Sequence, residues 1–156
     1  LRRWARIVLP GLLLGLVLSC SANPRSFFGG DLKLQVDVAP EANQNSAVAV
    51  ELLVVSNEQV LADAMKLSAH DWFLKREEWK RDHPKGYVSW SWEWVPGQSV
   101  PPQKLSFGTG ARAGLLFADY LSAGNHRLRF DPHQGVRLHL GEKEFTVEPI
   151  SRGAAR

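Results

Sequence analysis

The chain has 156 residues, with 19 Lys and Arg against 16 Asp and Glu, a net charge of +3 and a pI near 9.3. That length holds one domain of ordinary size, and 44% hydrophobic residues exclude a wholly disordered protein. One cysteine excludes an internal disulfide framework and a multi-cysteine zinc site.

The charge is unevenly placed. Arg2, Arg3 and Arg6 are the only charged residues among the first nineteen, and without that stretch 16 basic residues face 16 acidic ones. The basic pI therefore gives no reason to expect a nucleic-acid partner. Ile7 to Leu18 is an apolar run interrupted only by Pro10, Gly11 and Gly15, shorter than the roughly 20 residues of a spanning helix. A charged n-region followed by such a run marks residues 1–19 as a signal peptide. The run ends Leu16-Val17-Leu18-Ser19-Cys20, which resembles a bacterial lipobox. The resemblance implies acylation of Cys20 and cleavage before it, which anchors a protein without a membrane-spanning segment. By the same resemblance, Ser21 rather than Asp after the cysteine implies sorting to the outer membrane, with the domain facing the periplasm. Residues 20–30 then form the lipidated cysteine and a tether, and residues 31–150 the folded domain.

Asp31 to Val38 alternates, with Leu32, Leu34, Val36 and Val38 on one side and Asp31, Lys33, Gln35 and Asp37 on the other. This is the pattern of a half-buried strand. Ala39 to Ser46 reads as a polar surface loop, and deletion of residues 41–45 is expected to leave the melt nearly unchanged. Ala47 to Val55 is almost continuous in Val and Leu, as in a strand covered on both faces. Helical signals fill residues 57–83. Ser56 with Gln59 fits a capping box, and Val60, Leu61, Ala64, Met65 and Leu67 follow at helical spacing. Ser68 opens a second helix with Trp72, Phe73, Arg76 and Trp79 near one face, and Pro84-Lys85-Gly86 stops it. From Tyr87 the period returns to two, placing Val88, Trp90, Trp92 and Trp94 opposite Tyr87, Ser89, Ser91 and Glu93. Further strands are expected at 104–107, 113–118, 126–130, 136–140 and 143–147, the last two joined by a Gly141-Glu142 turn.

Eight strands with short connections indicate a mainly β sandwich carrying one two-helix insertion. Three tryptophans on one strand face fit either the sandwich core or a stacking platform for glycan or peptidoglycan, and the alternation favours the core. His70, His83, His126, His133 and His139 show no metal-binding spacing. Gly108 to Gly114 lacks the spacing and the lysine of a phosphate loop, and there is no GxSxG elbow. No cofactor, metal or catalytic set is expected.

A specific resemblance rests on Val38-Ala39-Pro40-Glu41-Ala42-Asn43, followed by Ser46-Ala47-Val48-Ala49-Val50-Glu51-Leu52. Val95-Pro96-Gly97-Gln98 and Gly114-Leu115-Leu116-Phe117-Ala118-Asp119-Tyr120 add to it. Together with the lipobox, these segments resemble the TssJ family, outer-membrane lipoproteins of the type VI secretion system. The resemblance implies a transthyretin-like β-sandwich without catalysis. It also implies one principal partner, the periplasmic domain of the inner-membrane protein TssM. Carried over by position, the contact loop is Pro40, Glu41, Ala42, Asn43, Gln44 and Asn45. The alternative is a periplasmic lipoprotein that binds glycan through Trp90, Trp92 and Trp94.

Overall fold

The computed structural model describes residues 29–150; the expected signal peptide, Cys20 and the tether to residue 28 lie outside the described residues, as does the tail from 151. In chain order the elements are β1 (Gly30–Val38), β2 (Val48–Val55), α1 (Glu58–Ala64), α2 (Ala69–Asp82), β3 (Tyr87–Trp94), β4 (Gln103–Phe107), β5 (Ala113–Asp119), β6 (Arg127–Phe130), β7 (Val136–Leu140) and β8 (Phe145–Pro149). The strands form two four-stranded sheets, ordered β4-β1-β7-β8 and β3-β2-β5-β6. β1 and β7 are parallel and every other pair is antiparallel.

The sheets face one another across a core that includes Leu32, Leu34, Leu138 and Leu140 from one and Val48, Val50, Leu52, Leu116 and Ala118 from the other. β2 is buried along nearly its whole length because its second face is covered as well. There Leu53, Val55, Leu115 and Phe117 pack against Val60, Leu61, Trp72 and Trp79 of the helices. Trp72 is fully buried, stacked on Phe117 at 4.8 Å and meeting Trp79 edge-on at 4.8 Å. The molecule thus has three layers: sheet, sheet and helix pair.

Glu51 lies in the middle of this second core, fully buried on β2. Trp72 Nε1 donates to its Oε2 at 3.1 Å, Arg76 Nη1 lies 3.3 Å from the same oxygen, and Lys80 Nζ lies 2.8 Å from Oε1. The spacing of Trp72, Arg76 and Lys80, four residues apart, brings all three over one carboxylate. Burial, and after it the charge of Glu51, raises the pKa of the neighbouring Tyr87 hydroxyl.

Several boundaries differ from expectation. The cap of α1 is Asn57, one residue later than Ser56, with its side chain accepting from the N–H groups of Gln59 and Val60. The final hairpin turns through residues 141–144, closed by Gly141 N–H to Glu144 O at 3.0 Å, so β8 starts at Phe145. That register pairs Leu140 with Phe145 and carries Pro149 inside an edge strand, where a missing N–H is tolerated. His126 has φ +41, which keeps it outside β6.

Ser68 does cap α2 as expected: its Oγ accepts from Asp71 N–H at 3.1 Å and donates to Asp71 Oδ2 at 2.8 Å. The Ser68 hydrogen bond holds Asp71 below the ordinary carboxylate value, while hydrogen bonds from Lys66 and Gln59 push Asp63 down to about 2. Both pKa values are depressed on folding, so both groups stabilise the fold above the unfolded value near 3.9. That contribution is lost as pH falls towards 2. An acid titration followed by helix ellipticity is expected to show the helical layer weakening between about pH 4 and 2. Asp63→Asn with Asp71→Asn should flatten that slope, and an unaltered slope would contradict the assignment.

Candidate interaction surface

Ala39 to Ser46 is less of a free loop than its polarity implies. Asn43, Gln44 and Asn45 have φ of +47, +56 and +63, three consecutive residues in the left-handed region. Each such residue costs about 1–2 kcal/mol, least for Asn, so the turn needs fixing from outside. Asn43 is only 2% exposed. Its Nδ2 donates to Ala47 O at 2.8 Å, and its Oδ1 accepts from Leu121 N–H at 2.7 Å. The backbone N–H groups of Asn43 and Gln44 donate to Gly141 O and Glu142 O at 3.1 and 3.0 Å. On the other side, Gly97 N–H donates to Ala39 O at 3.1 Å, with Gly97 at φ +70. The turn is therefore riveted to three other connections of the sandwich.

This bracing divides the six predicted contact residues. Ala42 and Asn43 are buried and hold the turn; Pro40, Glu41, Gln44 and Asn45 are exposed. Removing residues 41–45 would take out the buried pair as well, so an unchanged melt is not expected. Gln44 has the least suitable side chain for its backbone angle. Gln44→Gly is expected to stabilise the domain by roughly 0.5–1 kcal/mol, after allowing for the extra freedom of glycine in the unfolded chain. A urea melt checks this; destabilisation would show that the Gln44 side chain makes a needed contact.

Two signals missed in the sequence lie beside the turn. Val95 is 54% exposed and Leu121 is 68% exposed, two of the three most exposed large apolar side chains among the described residues. Leu121 joins the turn through Asn43, and Val95 precedes the Gly97 connection. The end of the sandwich thus presents a rigid polar turn flanked by apolar groups.

The other candidates are placed differently. Trp94 is buried, and Trp90 and Trp92 are half-buried against the inter-sheet core, partly open because β3 is an edge strand. Trp92 stacks on Trp94 at 5.2 Å. His139 pairs with Asp37 at 2.8 Å, His83 accompanies Asp63 at 3.5 Å, and His126 stacks on Tyr120. Among the described residues, no group of three or more His, Cys, Asp or Glu is arranged to hold a metal ion. No described helix is long and apolar enough to cross a membrane.

No family model matches the chain, and no curated protein matches it by sequence. Solved structures do. The type VI secretion lipoprotein TssJ1 from Pseudomonas aeruginosa superposes with a TM-score of 0.59 at 13% identity, covering 79% of this chain and 98% of that one. Serratia marcescens Lip, described as a membrane-bound component of the type VI secretion system, gives 0.56 at 15% identity, over 79% of this chain and 98% of its own. A chain of the structure described as the TssM C-terminal domain from EAEC gives 0.52 at 11% identity, over 79% of this chain and 99% of that chain. At these identities the likeness is one of fold, and the protein folds as the TssJ1 and Lip lipoproteins do over nearly their whole length.

Proposed function

We propose that the protein is a non-catalytic lipoprotein, held by acyl chains on Cys20 at the periplasmic side of the outer membrane. It docks the periplasmic domain of a TssM-type inner-membrane protein, and so helps scaffold the trans-envelope complex of a type VI secretion system. The observation that carries this reading is the fold shared with TssJ1 and Lip. A chain of the same fold in a structure described as the TssM C-terminal domain supports a partner of that type. The contact surface is assigned to the turn 40–45 through its exposed side chains Pro40, Glu41, Gln44 and Asn45.

The geometry suits that role. A turn already fixed by Asn43, Gly141 and Ala39 loses little conformational freedom on binding, so more of the contact energy appears as affinity. A lipid anchor confines the domain near its partner and raises their effective concentration, which lets a modest interface suffice. Cys20→Ser is expected to release the protein from the membrane pellet and to end its co-isolation with the TssM-type protein from envelope extracts. Continued pelleting would refute the anchor. Release together with undiminished co-isolation would refute the part assigned to anchoring in assembly.

A further inference from the structure

We propose that the end of the β3-β2-β5 face beside Leu121 receives an arginine or lysine side chain from the docking segment of the partner; this deepens the docking reading above and rests on it. Register places Ala49 of β2 between Glu93 of β3 and Asp119 of β5. With strands about 4.8 Å apart, the backbones carrying the two carboxylates are roughly 10 Å apart, and only a methyl group lies between them. A recess of about 420 Å³ opens here, lined also by Ala47, His70 and Leu121.

The next row on the same face shows how unusual this is. Two residues along, Ser91, Glu51 and Phe117 lie side by side, and there the fold supplies Arg76 and Lys80 to the carboxylate. At the open end no such cation is paired with either carboxylate among the described residues. The Glu93 side chain is exposed and makes no ion pair or hydrogen bond among the described residues, and the Asp119 carboxylate meets only the imidazole of His70 at 3.8 Å. An arginine or lysine is amphipathic, with a methylene stem that packs on apolar surface and a cationic head. Leu121, 68% exposed at the mouth, offers the apolar wall, and Glu93 with Asp119 offers acceptors for the head. Asn43, which holds the turn, also binds the backbone of Leu121, so recess and turn form one continuous surface.

The test titrates the full chain, purified in detergent, with the C-terminal domain of the TssM-type protein from the same envelope. Glu93→Gln with Asp119→Asn is expected to weaken binding about tenfold at 0.15 M salt and to flatten the salt dependence of Kd, since charged groups at an interface act in this way. Glu93→Arg with Asp119→Arg should weaken it further, and Leu121→Ser should weaken it without altering the salt slope. Leu74→Ser, on the exposed side of α2, should leave binding unchanged. The isosteric pair keeps the shape of the sheet, so its result stands even if the charge reversal impairs folding. Wild-type Kd and salt slope in the isosteric pair, with binding still lost on substituting Glu41, Gln44 and Asn45, would overturn the recess and spare the docking reading. Absence of binding by the unsubstituted chain would overturn both.

Discussion

Replacing Arg76 and Lys80 together with methionine should destabilise the domain by about 3 kcal/mol, on the order of 10 °C in Tm. The two cations are the only ones facing fully buried Glu51 among the described residues, and Trp72 Nε1 would be left as its single hydrogen-bond donor. A buried carboxylate without its partners retains the desolvation cost and loses the compensation. The reverse change is not symmetric. Arg76 and Lys80 side chains are 35% and 27% exposed and can turn to water, so Glu51→Leu should cost less than the double methionine variant. Glu51→Leu with both methionines should recover most of the wild-type stability, because a packed apolar cluster serves as well as a buried ion cluster. Urea melts of the four proteins decide it. A double methionine variant as stable as wild type would mean that Glu51 is not held by charge.

Asn43→Ala is expected to cost about 3 kcal/mol and to loosen the turn. The variant strands Ala47 O and Leu121 N–H, each worth roughly 1 kcal/mol, and puts a residue less tolerant of positive φ at +47. Asn43→Gly separates the two causes. It loses the same hydrogen bonds but accepts the backbone angle, so it should be less harmful than Asn43→Ala by up to about 1 kcal/mol. Amide exchange should rise at residues 43, 44 and 121 in both variants and stay low in the centres of β2 and β5. Protection at 43 and 44 equal to wild type would show that Gly141 and Glu142 alone hold the turn.

Much of this architecture is legible from local pattern. Alternation in Asp31 to Val38 and the continuous run before Val55 reflect whether one or both faces of a strand are covered, and both are visible without the fold. Trp72 and Trp79 could be assigned to a buried helix face for the same reason. Glu51 was hidden because its cations come from Arg76 and Lys80, 25 and 29 positions away. The available clue was a lone acid inside a Val and Leu run, followed by Trp72, Arg76 and Lys80 at four-residue spacing.

The turn was legible as a turn, through its Asn and Pro residues, but not as a left-handed one. What holds it lies at residues 97, 121, 141 and 142, which no local pattern connects to Asn43. Likewise Gly141-Glu142 fits a two-residue hairpin and so implies an earlier start for β8, whereas Phe145 and Val147 pack against the inter-sheet core in the register set by the four-residue connection. Glu93 and Asp119 lie 26 positions apart on different strands, and only the register across Ala49 brings them together.

The exposed face of the 40–45 turn is proposed to meet the periplasmic domain of a TssM-type protein. Photo-crosslinking from position 44 in intact envelopes addresses this contact, because Gln44 is exposed whereas the bracing side-chain hydrogen bonds are made by the buried Asn43. A crosslinker at position 44 is predicted to yield an adduct with the TssM-type protein, and one at position 74, on the exposed side of α2, is predicted to yield none. Adducts from position 74 and none from position 44 would contradict the account.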